Sequence, residues 1–224
     1  MKTLSILICY LFTTGIALAQ SSVFLADKVT GNLYRNSTDT EVEGSRMLSE
    51  EWAPGIIYMQ DGYKADKFML KFDFYRNELL FLHEGKALVV MNPVKEFIMV
   101  PVIGPKLLFR RGYQPVERND ETTYYQVLQD GPCSLLKHTT KTINERKEYN
   151  KAGTVKEYAT TINYYVFRDN GDMVKIKKDK SSLVSAIGDN DGKLMAWVDK
   201  NKLRCKTEED MMAVVKGYNE NLHK

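Results

Sequence analysis

Histidine and cysteine are scarce in this chain, with three of each in 224 residues. His83, His138 and His223 stand alone, and neither an H-x-x-H nor a C-x-x-C spacing occurs. Zinc sites are built from such pairs, so no metal and no cofactor is expected. Asp189-Asn190-Asp191-Gly192 has the composition of a calcium loop. Aligning Gly192 with the loop glycine, however, puts Ile187 and Val198 where the first and last oxygen ligands belong, so a turn between helices is expected instead. A strong charge of one sign is also missing: 32 Lys and Arg face 29 Asp and Glu, a net +3. That balance gives no argument for a nucleic-acid partner. There is no G-x-S-x-G elbow and no Gly-rich phosphate loop. Cys133 and His138 are five apart, so on one strand they point to opposite faces and cannot form a nucleophile–base pair. Glu50-Glu51 and Glu208-Glu209 are neighbours on what read as solvated segments, which does not suggest paired-carboxylate chemistry.

Long apolar runs are confined to the N-terminus. Lys2 precedes the largely apolar stretch Leu4 to Leu18, which ends at Ala17-Leu18-Ala19. Positive start, apolar run and small-residue site, in that order, are a secretory signal peptide, with cleavage expected after Ala19. Ile8 precedes Cys9 where a lipid-anchor signal needs a small residue, so no lipid is expected. No later stretch is long and apolar enough to span a bilayer as a helix, and a product soluble outside the cytoplasm is expected. The mature chain from Gln20 holds Cys133 and Cys205. Two readings stay open for them: a disulfide, which export permits, or two buried thiols acting as small hydrophobes.

What the chain does have is strand patterning and a sizeable core, with 43% hydrophobic and 11% aromatic residues. In Lys67 to Met91, Phe68, Leu70, Phe72 and Phe74 alternate with Met69, Lys71, Asp73 and Tyr75. Tight turns at Arg76-Asn77 and Glu84-Gly85 would set Phe74 opposite Leu79, Phe72 opposite Phe81, Leu70 opposite His83, Phe81 opposite Leu88, and Leu79 opposite Val90. Further strands are expected at Ile56–Gln60, Phe97–Val100, Leu107–Arg110, Tyr124–Leu128 and Ser134–Ile143, with a polar loop over Gly112 to Thr122 and a charged exposed stretch over Asn144 to Gly153. The hairpin Glu157 to Lys178 has Asn170-Gly171 at its tip. A two-residue loop there would set Phe167 opposite Val174, Tyr165 opposite Ile176, and Tyr164 opposite Lys177. The last part changes period: short helices around Leu183–Ile187 and Leu194–Val198 precede a third, opened by a Thr207/Asp210 capping box and carrying the stripe Met211, Val214, Val215, Tyr218.

Strands followed by helices give an α+β class: an antiparallel β domain of hairpins, sandwich- or barrel-like, with a C-terminal helical appendage. The expected organisation is signal peptide 1–19, N-terminal arm 20–48, β domain 49–180 and helical segment 181–224. The Gly44-Ser45 opening, the Trp52…Gly55 entry, the Asp61-Gly62 turn, the run FDFYRNELLFLHEGKALVV and the ending DKNKLRCKTEEDMMAVVKGYNE resemble a group of exported Bacteroidetes envelope proteins with no assigned activity. The resemblance covers about half of the mature chain; it implies an envelope location and transfers no site residues. The expected role is non-catalytic binding of an envelope component or protein. A hydrolase acting on envelope polymers through acidic residues is the alternative. The candidate ligand surface is the face expected to hold Tyr164, Lys175 and Lys177, with Val166 and Arg168 beside it, where cations interleave with aromatics. A merely solvated sheet face is the bland counterpart.

Overall fold

A computed structural model describes residues 23–26, 28–35, 42–147, 154–188 and 191–221. The expected leader, its cleavage site, His223 and the first half of the Asp189–Gly192 turn lie outside them. Among the described residues the strands are β1 (Val23–Ala26), β2 (Val29–Leu33), β3 (Val42–Glu43), β4 (Ala53–Met59), β5 (Lys64–Asp73), β6 (Glu78–His83), β7 (Lys86–Val90), β8 (Val94–Met99), β9 (Leu107–Arg110), β10 (Tyr125–Gln129), β11 (Cys133–Lys147), β12 (Thr154–Arg168) and β13 (Met173–Ile176). The helices α1 (Lys180–Ile187), α2 (Lys193–Lys200) and α3 (Glu208–Asn221) follow. The class is α+β, as the order of patterns implies.

The strands form one sheet in the order β1-β2-β7-β6-β5-β4-β8-β9-β10-β11-β12-β13. Every pairing along that path is antiparallel, and β3 adds a short parallel pairing to β12. The stretch expected as a loosely patterned arm therefore contributes three strands. Its docking depends on Gly31, which faces Val90 across β2 and β7. A Cβ there would lie 2.6 Å from the Phe81 ring and 2.9 Å from Leu88 Cβ, so only glycine lets the strand lie so close.

One core covers one side of the first half of the sheet. Phe72, Phe74, Leu79 and Phe81 are buried together there, as the alternation implies, alongside Phe97, Phe109 and Tyr124. Phe72 sits at the hub, 5.2–5.6 Å from the rings of Phe74, Phe97, Phe109 and Tyr124. Phe81 opposite Leu88 follows the expected register. At the other turn Leu70 faces Phe81 and Phe72 faces Leu79, a shift of two residues. The cause is Asp73, whose Oδ1 accepts from the N–H groups of Tyr75 and Arg76 and widens the turn to Phe74–Asn77. A shift of two keeps every side chain on its expected face. His83 is half-buried, opposite Lys86 rather than Leu70.

Asp73 departs from the pattern in another way: it is fully buried on the face expected to be wet. Its Oδ2 accepts from Tyr34 Oη at 2.8 Å and pairs with Arg46 Nε at 3.3 Å, Arg46 also being buried. The Arg46 guanidinium also donates to Tyr34 Oη and lies over the Tyr34 ring. This network fastens the N-terminal strands to the end of β5, where Leu48 N–H donates to the Phe72 carbonyl and Phe74 N–H to that of Arg46.

In the second half the two sides of β10–β13 part company. Cys133, Leu135, Tyr164, Val166 and Ile176 point to one side and are covered by the three helices, sharing a core with Leu183, Leu194, Val198, Met211, Val214 and Val215. The Thr207 hydroxyl caps α3 by accepting from Asp210 N–H, as the capping-box reading expects. Cys133 and Cys205 are both buried in this core as free thiols. Burial pushes their thiols up, to about 12 and about 11, so both stay protonated and apolar at neutral pH. Tyr125, Val127, Leu136 and Tyr165 point to the other side.

The candidate functional site is a polar cleft on the far side of the sheet

The face expected to unite Tyr164, Lys175 and Lys177 does not form. In the hairpin Tyr165 faces Lys175 and Tyr164 faces Ile176, one residue away from the expected register. The reason is the loop. Gly171 N–H donates to the Arg168 carbonyl and Arg168 N–H to that of Asp172, so Asp169 joins Asn170 and Gly171 in a three-residue loop with Gly171 at φ 90°. A slip of one sends the two strands' side chains to opposite faces of the expected arrangement. Tyr164 lies in the helix-side core, its hydroxyl donating to Glu208 at 2.7 Å. The cation over its ring is Lys178, not Lys177. Lys175 is on the opposite face, paired with Glu117 at 3.0 Å. Lys177 lies beyond β13, with an exposed side chain. Cys133 and His138 do lie on opposite faces, as their odd spacing requires.

On the face away from the helices there is an open cleft of about 740 Å³. Its floor is a patch of β11 and β12 where His138 faces Asn163 and Thr140 faces Thr161. Period-two alternation aims His138, Thr140, Asn163 and Tyr165 at the same side. One wall is the β5–β6 turn, Phe74–Asn77; the other is the loop from Glu117 to Thr123. Asn77 ties the walls together: its Nδ2 donates to the Thr122 carbonyl at 3.0 Å and its Oδ1 accepts from Tyr124 N–H at 3.1 Å. Asp120 stiffens the loop by accepting from the N–H and hydroxyl of Thr122 at 2.9 and 2.6 Å. Both walls are thus fixed before any ligand arrives.

His138 on the floor is only 6% exposed. Its ring lies 5.1 Å from that of Tyr125, and its Nδ1 accepts from Asn119 Nδ2 at 3.2 Å. Burial, helped by the Lys175 charge, pushes its pKa down to about 4, so the ring is neutral at neutral pH. With Nδ1 accepting, Nε2 carries the proton, and that N–H has no partner among the described residues. Tyr165 donates its hydroxyl to Glu117 Oε2 at 3.2 Å and accepts from Asn119 at 3.4 Å. Burial and the Glu117 charge push its pKa up, so it too stays neutral. The half-buried Asn163 amide and Thr140 hydroxyl make no side-chain hydrogen bond among the described residues. They leave donors and acceptors to spare along the floor.

The carboxylates of the cleft are held ionised. Glu117 is pulled down by its Lys175 partner, and Asp120 by the Thr122 hydroxyl and N–H. Neither would hold a proton to deliver to a leaving group. Among the described residues no three His, Cys, Asp or Glu side chains group as a metal would need. Nor, among them, is any helix long and apolar enough to cross a membrane.

Sequence reasoning passed over the cleft because its walls are far apart in the chain. The one available signal was the polar run His138, Thr140, Thr142 at period two, opposite Asn163 and Thr161. Comparison with family models, curated proteins and solved structures returned no match.

Proposed function

We propose that the protein is an exported, non-catalytic binding protein of the cell envelope, and that the cleft between Asn77, Asn119 and the β11–β12 floor takes a polar oligomer, namely a glycan strand. One observation carries the reading: on the floor His138, Asn163 and Thr140 are neutral and keep unspent hydrogen-bonding capacity. These three suit the hydroxyl and acetamide groups of sugars, which are neutral and need both donors and acceptors. Tyr75, 40% exposed at the rim, supplies an aromatic surface of the kind that lies against a sugar ring. Rigid walls favour binding because little side-chain freedom is lost on association.

The hydrolase alternative has less support. Glycoside hydrolysis needs a carboxylic acid kept protonated near neutral pH opposite a second carboxylate. Glu117 and Asp120 are shifted the other way, and both are already engaged. The test is calorimetry with neutral hexose and N-acetylhexosamine oligomers on the wild type and on Asn163→Ala. Saturable binding weakened about tenfold in the variant, one to two hydrogen bonds' worth, is expected. Reducing ends released from the oligomers by the wild type would favour the hydrolase. Binding of short peptides but of no glycan would overturn the ligand class.

A further inference from the structure

A second hollow, of about 470 Å³, opens on the helical side, remote from the cleft floor; it is lined by Asp179, Lys180, Ser181, Asp199, Lys202, Leu203, Arg204 and Lys206. Both acids there are committed. Asp199 pairs with Lys180 at 2.5 Å, and Asp179 caps α1 by accepting from Ser182 N–H at 2.8 Å. The side chains of Lys202, Arg204 and Lys206 are exposed and have no ionic partner among the described residues. Three cations thus border one concavity against a single carboxylate, Asp179, that is not already in an ion pair, which leaves an excess of positive charge.

The segment that carries them is held firmly. Asn201 and Leu203 N–H groups donate to the Trp197 and Val198 carbonyls at the end of α2, and Lys202 N–H to that of Asp199. Asp210, in the first turn of α3, accepts from the N–H groups of Arg204 and Cys205 at 3.1 and 3.0 Å. Cys205 is anchored in the core. Lys202 and Cys205 both take left-handed backbone, at φ 56° each. Half-buried Leu203 and buried Cys205 hold the segment to the core, while Lys202, Arg204 and Lys206 are exposed and line the same hollow. Like charges fixed side by side repel. Their charges add at the hollow, so an anion placed there would be attracted by all three.

We propose that this hollow is an anion site for a phosphate group, with Arg204 supplying the planar fork that matches phosphate oxygens and Lys202 and Lys206 supplying point charges on either side. The α1 N-terminus, already capped by Asp179, is not needed for it. A free phosphate and the phosphate of a lipid headgroup present the same chemistry, and the test separates them.

The full mature chain is titrated calorimetrically with inorganic phosphate, and separately sedimented with vesicles of phosphatidylcholine alone or with added phosphatidic acid. The variants are Lys202→Ala/Arg204→Ala/Lys206→Ala, and a control, Lys67→Ala/Lys95→Ala/Lys106→Ala, which removes the same charge from exposed positions elsewhere. The expected result is binding by the wild type and the control that weakens about tenfold or more in the first variant and fades with added salt, since such charges are screened over about 8 Å at physiological ionic strength. Binding to phosphate in solution assigns a free ligand, and binding only to vesicles with phosphatidic acid assigns a headgroup. Equal binding by both variants, or no saturable binding to any probe, overturns the site.

Discussion

Replacing Asp73 by alanine should be among the most damaging single changes in the β domain. The carboxylate serves four partners at once: the N–H groups of Tyr75 and Arg76 at 2.9 and 3.0 Å, Tyr34 Oη at 2.8 Å, and Arg46 Nε at 3.3 Å. The Asp73 side chain is 0% exposed and that of Arg46 is 6% exposed. Removing the acid takes from the buried Arg46 guanidinium the carboxylate it pairs with, which costs about 3–5 kcal/mol. That is about a fifth or more of the stability of a typical domain. Asp73→Asn keeps an Oδ1 acceptor for the turn but loses the charge and the Oδ2 acceptor that serves Tyr34 and Arg46, so about 2–3 kcal/mol is expected. Pairing Asp73→Asn with Arg46→Met removes the stranded charge, and the double variant should be more stable than Asp73→Ala. Urea denaturation followed by circular dichroism at neutral pH measures all three. A loss below about 1 kcal/mol for Asp73→Ala, or a double variant less stable than that single one, would refute the reasoning that this network fastens the N-terminal strands.

Other expectations follow from single contacts. Phe72→Ala should cost about 3–5 kcal/mol in the same melts, because four rings close around Phe72. Gly55→Ala should destabilise by about 1–3 kcal/mol, since its Cβ would meet Leu70 Cδ1 at 2.4 Å and the Ile98 carbonyl at 2.5 Å. For His138 the folded-state pKa of about 4 lies below the ordinary 6.5, so the unfolded chain takes up the proton first. Its contribution is unchanged above about pH 6.5 and is lost as pH falls from there to about 4. The stability of His138→Gln should therefore fall less steeply than that of the wild type across this window, as paired denaturant melts would record. Cys133 and Cys205 should resist a thiol reagent in the native protein and react once it is unfolded.

How far the sequence could be read depended on how local each determinant was. Glu84-Gly85 is a turn settled by its own two residues, and the Phe81–Leu88 register came out as the pattern implied. Around Arg76-Asn77 the turn is set by the Asp73 carboxylate, outside the turn dipeptide, and the register moved by two without disturbing the buried face. At Asn170-Gly171 one more residue, Asp169, entered the loop. That single step separated Tyr164 from Lys175 and dissolved the expected ligand face. The core, the α+β class and the third helix with its Thr207 cap were legible because periodicity and capping act over a few residues. The cleft was not, because the turn at Asn77, the loop at Asn119 and the floor at His138 and Asn163 meet only in three dimensions. The burial of Asp73 was hidden for the same reason: its partners Tyr34 and Arg46 come from the segment with the weakest pattern.

The central claim is that the His138–Asn163 cleft is where a glycan binds, and amide chemical-shift mapping tests it most directly. Isotope-labelled protein is titrated with N-acetylhexosamine oligomers while the backbone resonances are followed. The account predicts saturable shifts gathered in Asn77, Glu117–Thr123, His138–Thr142 and Asn163–Tyr165, and their loss in Asn163→Ala. Shifts gathered on the helices instead, or none at saturating oligomer, would contradict it.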